Sequence, residues 1–201
     1  MVLRLFAVSL GIAVLFGCGK APEKEPKSRM LSKDDYLKNR SVLLGTAIDD
    51  DEATRVIAYL LFLEKQSKDE PITLYINSPG GSATAGLAIL RTMETLKPKI
   101  QTCCIGQAHS MAAIILAAGT HGFRSSNTNA VIAFSRLRAA QNMTPEKQIY
   151  FDRLEAELIT TTSRLTGMTK EQTTKLFDSS EALTSNRARD LGIIDRIVSV
   201  Q

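Results

Sequence analysis

The sequence predicts one α/β domain: a mostly parallel β-sheet covered by helices. Three observations predict it. Short apolar runs alternate along the chain with longer stretches of helical period, the pattern of βαβ units with right-handed crossovers. Gly, Pro, Asn and Ser fall between them, where turns are needed. The chain has 201 residues, about one domain's length, of which 44% are hydrophobic and 23% charged. That is ordinary globular usage and argues against both a disordered chain and a multi-span membrane protein.

The N-terminus stands apart. Leu5–Phe16 is an uncharged apolar run behind a single positive charge at Arg4. It is too short to span a bilayer, which takes about 20 residues, and has the length of a signal-peptide core. It ends in Leu15-Phe16-Gly17-Cys18, followed by a Pro/Lys/Glu stretch. This resembles a bacterial lipoprotein signal, with Cys18 as the lipidation site and a tether behind it. The expected organisation is a signal peptide over 1–17, a tether over 18–35 and the folded domain over 36–201. Acylation at Cys18 would anchor the protein to a membrane, at about 0.8 kcal/mol per buried methylene. The alternative is a merely apolar extension on a cytoplasmic protein, with Cys18 a buried thiol.

Within the domain, Asp50–Gln66 is predicted helical from the spacing of Val56, Ile57, Leu60, Leu61 and Leu63, with carboxylates at its start. Ile72–Ile76 is a buried strand that ends in the turn Asn77-Ser78-Pro79-Gly80-Gly81. A helix follows to Leu96 and stops before Pro98. Ile100–Ile105 is the next strand, broken at Gly106, and Met111–Ala118 a small-residue helix closed by Gly119. Val131–Phe134 is a strand. Thr144-Pro145-Glu146 opens a long helix to Leu165, ended by Gly167. Helices over Lys170–Phe177 and Ser185–Leu191 precede a closing strand, Ile193–Val198.

Composition limits the chemistry. The net charge is +4, but Lys and Arg are scattered among acids and no Trp is present to stack on bases, so nucleic acid is not an expected partner. The three cysteines, Cys18, Cys103 and Cys104, form no disulfide framework, and the last two are expected to be structural residues of a strand. The two histidines, His109 and His121, leave no His-rich metal site; neither a metal nor a cofactor is expected.

Two strand-to-helix junctions stand out. One is Ser78-Pro79-Gly80-Gly81-Ser82; the other is Gly106-Gln107-Ala108-His109-Ser110-Met111. Each places unpaired helix N–H groups beside a backbone that can approach a ligand closely, an arrangement suited to a developing oxyanion. From the residues alone, Ser110 could equally be a helix N-cap and the glycine pair only a turn.

The segments Tyr75–Ile89 and Ile105–Ala113 closely resemble the two signature segments of the ClpP family, the proteolytic subunit of the ATP-dependent Clp protease. Ala117-Ala118-Gly119 and Leu191-Gly192-Ile193-Ile194-Asp195 fit as well, and the likeness runs in family order from about Tyr36 to Val198. It implies the ClpP/crotonase-like fold, βαβ units with a helical handle, and serine peptidase chemistry on a Ser-His-Asp triad. It puts Ser110 at the nucleophile and the N–H groups of Gly81 and Met111 in the oxyanion hole. The family's His position is then held by Ser135, and no His follows His121. The family's Asp position is held by Ser180, preceded by Ser179, with Asp178 two residues away. His109 should point away from its neighbour Ser110, and His121 lies beyond the following helix.

The resemblance implies a homo-oligomeric ring, or a mixed ring with a ClpP-type subunit, acting on peptides or unfolded protein. The segment Arg136–Met143 is shorter than the family's handle loop and lacks glycine, Ser179-Ser180 replaces the family's Arg-Asp pair, and Thr73 stands where an aromatic residue often helps dock the ATPase. These departures weigh against ring stacking and against a Clp ATPase partner. The expected function is a ClpP-like peptidase homologue that keeps nucleophile and oxyanion hole but lacks the base. Competing readings are an active peptidase with a displaced base and a crotonase-like enzyme that uses the oxyanion hole for another reaction.

Overall fold

A computed structural model describes residues 33–138 and 143–199 of the chain. The signal, lipidation and most of the tether positions lie outside the described residues, as do the middle of the shortened loop, 139–142, and the two C-terminal residues. The expected fold class is borne out: an α/β domain whose seven-stranded sheet is parallel in all but one pairing.

The chain enters through a short helix, α1 (Lys33–Lys38), and an unforeseen strand, β1 (Ser41–Leu44). Helix α2 (Asp50–Gln66) begins where the carboxylates predicted, with the Asp49 side chain accepting the Glu52 N–H at 2.8 Å. Next come β2 (Ile72–Ser78), α3 (Ala83–Thr95), β3 (Ile100–His109), α4 (Met111–Ala117), β4 (Arg124–Asn127) and β5 (Val131–Ala133). Helices α5 (Pro145–Thr166) and α6 (Lys170–Ser179) follow, then β6 (Ala182–Leu183), α7 (Ser185–Asp190) and β7 (Arg196–Val198). Strand β3 is the hub of the sheet. It pairs with β2 along one edge, and along the other with β4 early and β5 late. Only β5 and β6 run antiparallel.

Several boundaries differ from the sequence reading. Strand β3 does not stop at Gly106 but runs to His109. A register shift between Ile76 and Ser78 absorbs the irregularity, and the Asn77 side-chain carbonyl accepts the Gln107 N–H at 3.2 Å across it. Strands β1, β4 and β6 carry too few alternating apolar residues to announce themselves. The closing strand is only Arg196–Val198, because Ile193 and Ile194 are buried as a packing turn before it.

The sheet buries one face. Ile72, Leu74, Ile76, Ile100, Thr102 and Cys104 are buried beneath the helices, while Thr73, Tyr75, Gln101 and Cys103 on the other face are half-buried. Both adjacent cysteines are therefore strand residues, and burial pushes the Cys104 thiol up to about 12. Thr162 and Thr166 at the C-terminal end of α5 are buried with Leu158, whereas Ile149 and Tyr150 near its start are exposed. Between them Leu154 packs against the core, so only the first turns of α5 stand exposed.

Arg124 carries the largest of the fully buried side chains, 1% exposed. Its guanidinium donates to Asp195 through Nη2 at 2.6 Å and Nε at 3.0 Å, and through Nη1 to the Leu165 carbonyl at 2.9 Å. The Arg124 and Gly122 backbone N–H groups add two more bonds to the Asp195 carboxylate. Burial raises the pKa of that carboxyl, but the bonds from Arg124 and Gly122 outweigh it and hold it below its ordinary value. Arg124→Leu should therefore cost about 3–5 kcal/mol in urea unfolding, because Asp195 is left without its cation. Because the native pKa is depressed, the contribution of Asp195 is complete above its unfolded value of about 3.9 and is lost as pH falls through the native one. The stability gap between wild type and Asp195→Asn should be flat from neutral to about pH 5 and narrow in stronger acid; a gap independent of pH would refute this account.

Candidate active site

Two strand-to-helix junctions converge at one end of the sheet. The first leaves β2 at Ser78, whose hydroxyl donates to the Thr46 carbonyl at 2.6 Å and accepts the Gly80 N–H at 3.1 Å. The turn is then stitched to the segment before α2. The Ile48 N–H donates to the Gly80 carbonyl at 2.8 Å, and the Ser82 N–H to the Ile48 carbonyl at 2.7 Å. These bonds use the groups on either side of Gly81 and leave the Gly81 N–H facing the other way, with no acceptor among the described residues. Gly80, at φ +84°, lies so close to the second junction that a Cβ there would stand 2.4 Å from the His109 carbonyl oxygen and 3.0 Å from the Ser110 Cβ.

The second junction is the end of β3. Ser110 has φ +51° and ψ −119°, a backbone that L-residues rarely adopt. Its N–H donates to the Ala133 carbonyl at 2.8 Å, which ties the turn to β5, and its own carbonyl accepts from Ala113 and Ile114 in α4. Ser110 does occupy the N-cap position of α4, but its side chain makes no capping bond. A hydroxyl held on a strained strand-to-helix turn and spared from structural bonding is what an exposed nucleophile requires. Met111 N–H, the first of α4, likewise has no acceptor among the described residues. The Met111 side chain packs against Gly86 of α3, where a Cβ would meet it at 2.7 Å, so both helix starts are drawn together.

Ser110, Gly81 and Ser135 line one groove of about 550 Å³. Its far wall comes from Arg136, Leu137 and Arg138 beyond β5 and from Phe151 and Leu154 of α5. Along β5 the side chains alternate. Phe134 is fully buried against Phe177, with ring centroids 5.5 Å apart, and Ser135 turns to the groove. Strands β5 and β6 pair Ile132 with Leu183 and Ala133 with Ala182. Ser180 ends α6 in a left-handed conformation, φ +48°. Ser180 is not among the residues that line the groove.

Other ionisable candidates are engaged elsewhere. The Asp178 carboxylate accepts from Arg136 Nε at 2.7 Å, and Arg136 Nη1 donates to Glu155 at 2.9 Å. This ion-pair cluster, between the segment after β5 and helices α5 and α6, was not foreseen; the sequence separations involved give no local signal. His121 is 77% exposed beside Asp195, at the opposite end of α4 from Ser110. His109 is not among the groove's lining residues, and its Nε2 is buried without a hydrogen-bond partner.

The Clp protease family matches this chain over residues 24–201, nearly its full length, and the chain belongs to that family.

Since the Ser110 hydroxyl has no hydrogen-bond partner among the described residues, Ser110→Ala should change stability by no more than about 0.5 kcal/mol. Ser110→Gly should be about 1 kcal/mol more stable than the alanine variant, because glycine relieves the positive φ. Gly80→Ala should cost about 1–3 kcal/mol, as the new methyl meets the His109 carbonyl. Thermal unfolding of the three variants checks the order; a large loss in Ser110→Ala would mean that the hydroxyl is structural.

Proposed function

We propose that this member of the Clp protease family is a ClpP-like serine peptidase homologue that binds peptides in the groove at Ser110 and does not turn them over. In this reading Ser110 is the nucleophile position, the N–H groups of Gly81 and Met111 are the oxyanion donors, and Ser135 and Ser180 replace the base and its carboxylate. One observation carries it: among the described residues, the only ionisable side chains lining the groove are Arg136 and Arg138. A guanidinium does not take up a proton at neutral pH.

The consequence follows from the chemistry of acyl transfer. A peptide carbonyl polarised by two N–H donors is stabilised as it gains charge, which favours binding in an attack-ready pose. Attack also requires that the Ser110 proton leave. Without an acceptor the hydroxyl is a poor nucleophile, and loss of the His from a serine-protease triad costs roughly 10⁶-fold in kcat. Deacylation needs the same base to activate water, so both half-reactions are affected alike.

We also propose that Cys18 carries a lipid that holds the domain at a membrane, and that the assembly is a single or mixed ring. The apolar run before Cys18 supports the first. The shortened loop after β5 and Ser179-Ser180 support the second. Cys18→Ser should move the protein from the membrane to the soluble fraction; an unmodified protein that is already soluble with Met1 intact would sink the anchor. Mass measurement on the extracted protein should find no stable stacked double ring, and finding one would overturn the assembly.

The catalytic reading predicts no turnover of short fluorogenic peptides above a Ser110→Ala control. Ser135→His alone should restore little, because an unoriented imidazole is a weak base. Ser135→His with Ser180→Asp should restore more than the singles combined, since the carboxylate fixes the tautomer and stabilises the imidazolium. Aspartate is also among the residues that best tolerate the left-handed backbone at 180. Robust wild-type turnover abolished by Ser110→Ala would refute the reading and expose a base elsewhere.

A further inference from the structure

We propose that the groove selects peptides bearing acidic side chains, with Arg138 as the residue that determines this specificity. The inference rests on the peptide-binding reading above and adds a substrate class to it. Arg136 and Arg138 both line the groove, but their charges are not equivalent. Arg136 is matched by Glu155 and Asp178, at 2.9 and 2.7 Å. That pairing fixes its position and turns both carboxylates toward Arg136. Arg138 is exposed and makes no ion pair among the described residues. No Asp or Glu among the described residues lines the groove, so the charge of Arg138 faces it unmatched there.

A second feature has the same sign. The 13-residue helix α3 opens onto the groove through Ser82, Ala83 and Thr84, and its first turn holds no acidic residue, whereas the first turn of α2 holds Asp50, Asp51 and Glu52. The positive end of its dipole is left uncompensated toward the groove. A glutamate or aspartate side chain of a bound peptide supplies the missing charge at both places. Its carboxylate can take two parallel N–H bonds from a guanidinium, and its methylenes can lie along Phe151 and Leu154. Amidated and basic counterparts lose the first gain, and a lysine meets a like charge.

The test is calorimetric titration of the full chain, in a neutral detergent, with capped hexapeptides whose central pair is Glu, Gln or Lys. The Glu peptide should bind about five-fold more tightly than its Gln isostere, the scale of one partly exposed ion pair, and the Lys peptide more weakly than either. The Glu advantage should shrink as salt rises from about 0.05 to about 0.5 M. It should fall below about two-fold in Arg138→Gln and survive in Arg138→Lys, which keeps the charge. Arg138 is exposed, so both variants should unfold at the wild-type temperature. Equal affinity for the Glu and Gln peptides, or an advantage that persists in Arg138→Gln, would overturn the acidic preference while leaving a peptide groove in place. No binding of any of the three would overturn the preference together with the peptide-binding reading.

Discussion

The buried guanidinium of Arg124 is the contact on which the arrangement of this domain depends. Sheet pairing joins β4 to β7, but it does not fix where the ends of α4 and α5 lie over that edge. Arg124 does so from within β4, through Asp195 ahead of β7, the Leu165 carbonyl at the end of α5 and a longer bond to Ala117 at the end of α4. A charge this deep is tolerated because the opposite charge and several hydrogen bonds are built around it. Helix α4 spans the distance between this anchor and Ser110, so the same contact that closes the sheet edge also sets one end of the site.

At the other end of α4, the site is held by backbone rather than by side chains. The turn after β2 is bound to the Thr46–Ile48 segment and the turn after β3 to β5, each through bonds of 2.6–2.8 Å. Three parts of the chain that are remote in sequence thus define where two free N–H groups and one free hydroxyl stand. Such preorganisation is independent of the residues at 135 and 180.

The polar wall of the groove is organised by charge. Arg136, next to Ser135, ties the segment after β5 to Glu155 of α5 and Asp178 of α6. The Asp178 carboxylate is therefore bound to a cation. Arg138 makes no ion pair among the described residues, so the wall is left cationic.

The sequence by itself determined the α/β class, the helices α2 to α7 to within a few residues, the family, and the positions of Ser110, Gly81 and Met111 at two glycine-marked junctions. These are local signals, carried by hydrophobic period, turn residues and contiguous motifs. It also determined that no histidine follows His121, a fact that needs no fold. Tertiary structure alone decided the rest. The strands β1, β4 and β6 are too short to show a period and exist because neighbouring strands template them. The strain at Ser110 and its release from capping come from the bond to Ala133. Packing turns Ser135 to the groove, and the pairings of Arg124 with Asp195 and of Arg136 with Asp178 and Glu155 join residues that only the folded chain brings into contact.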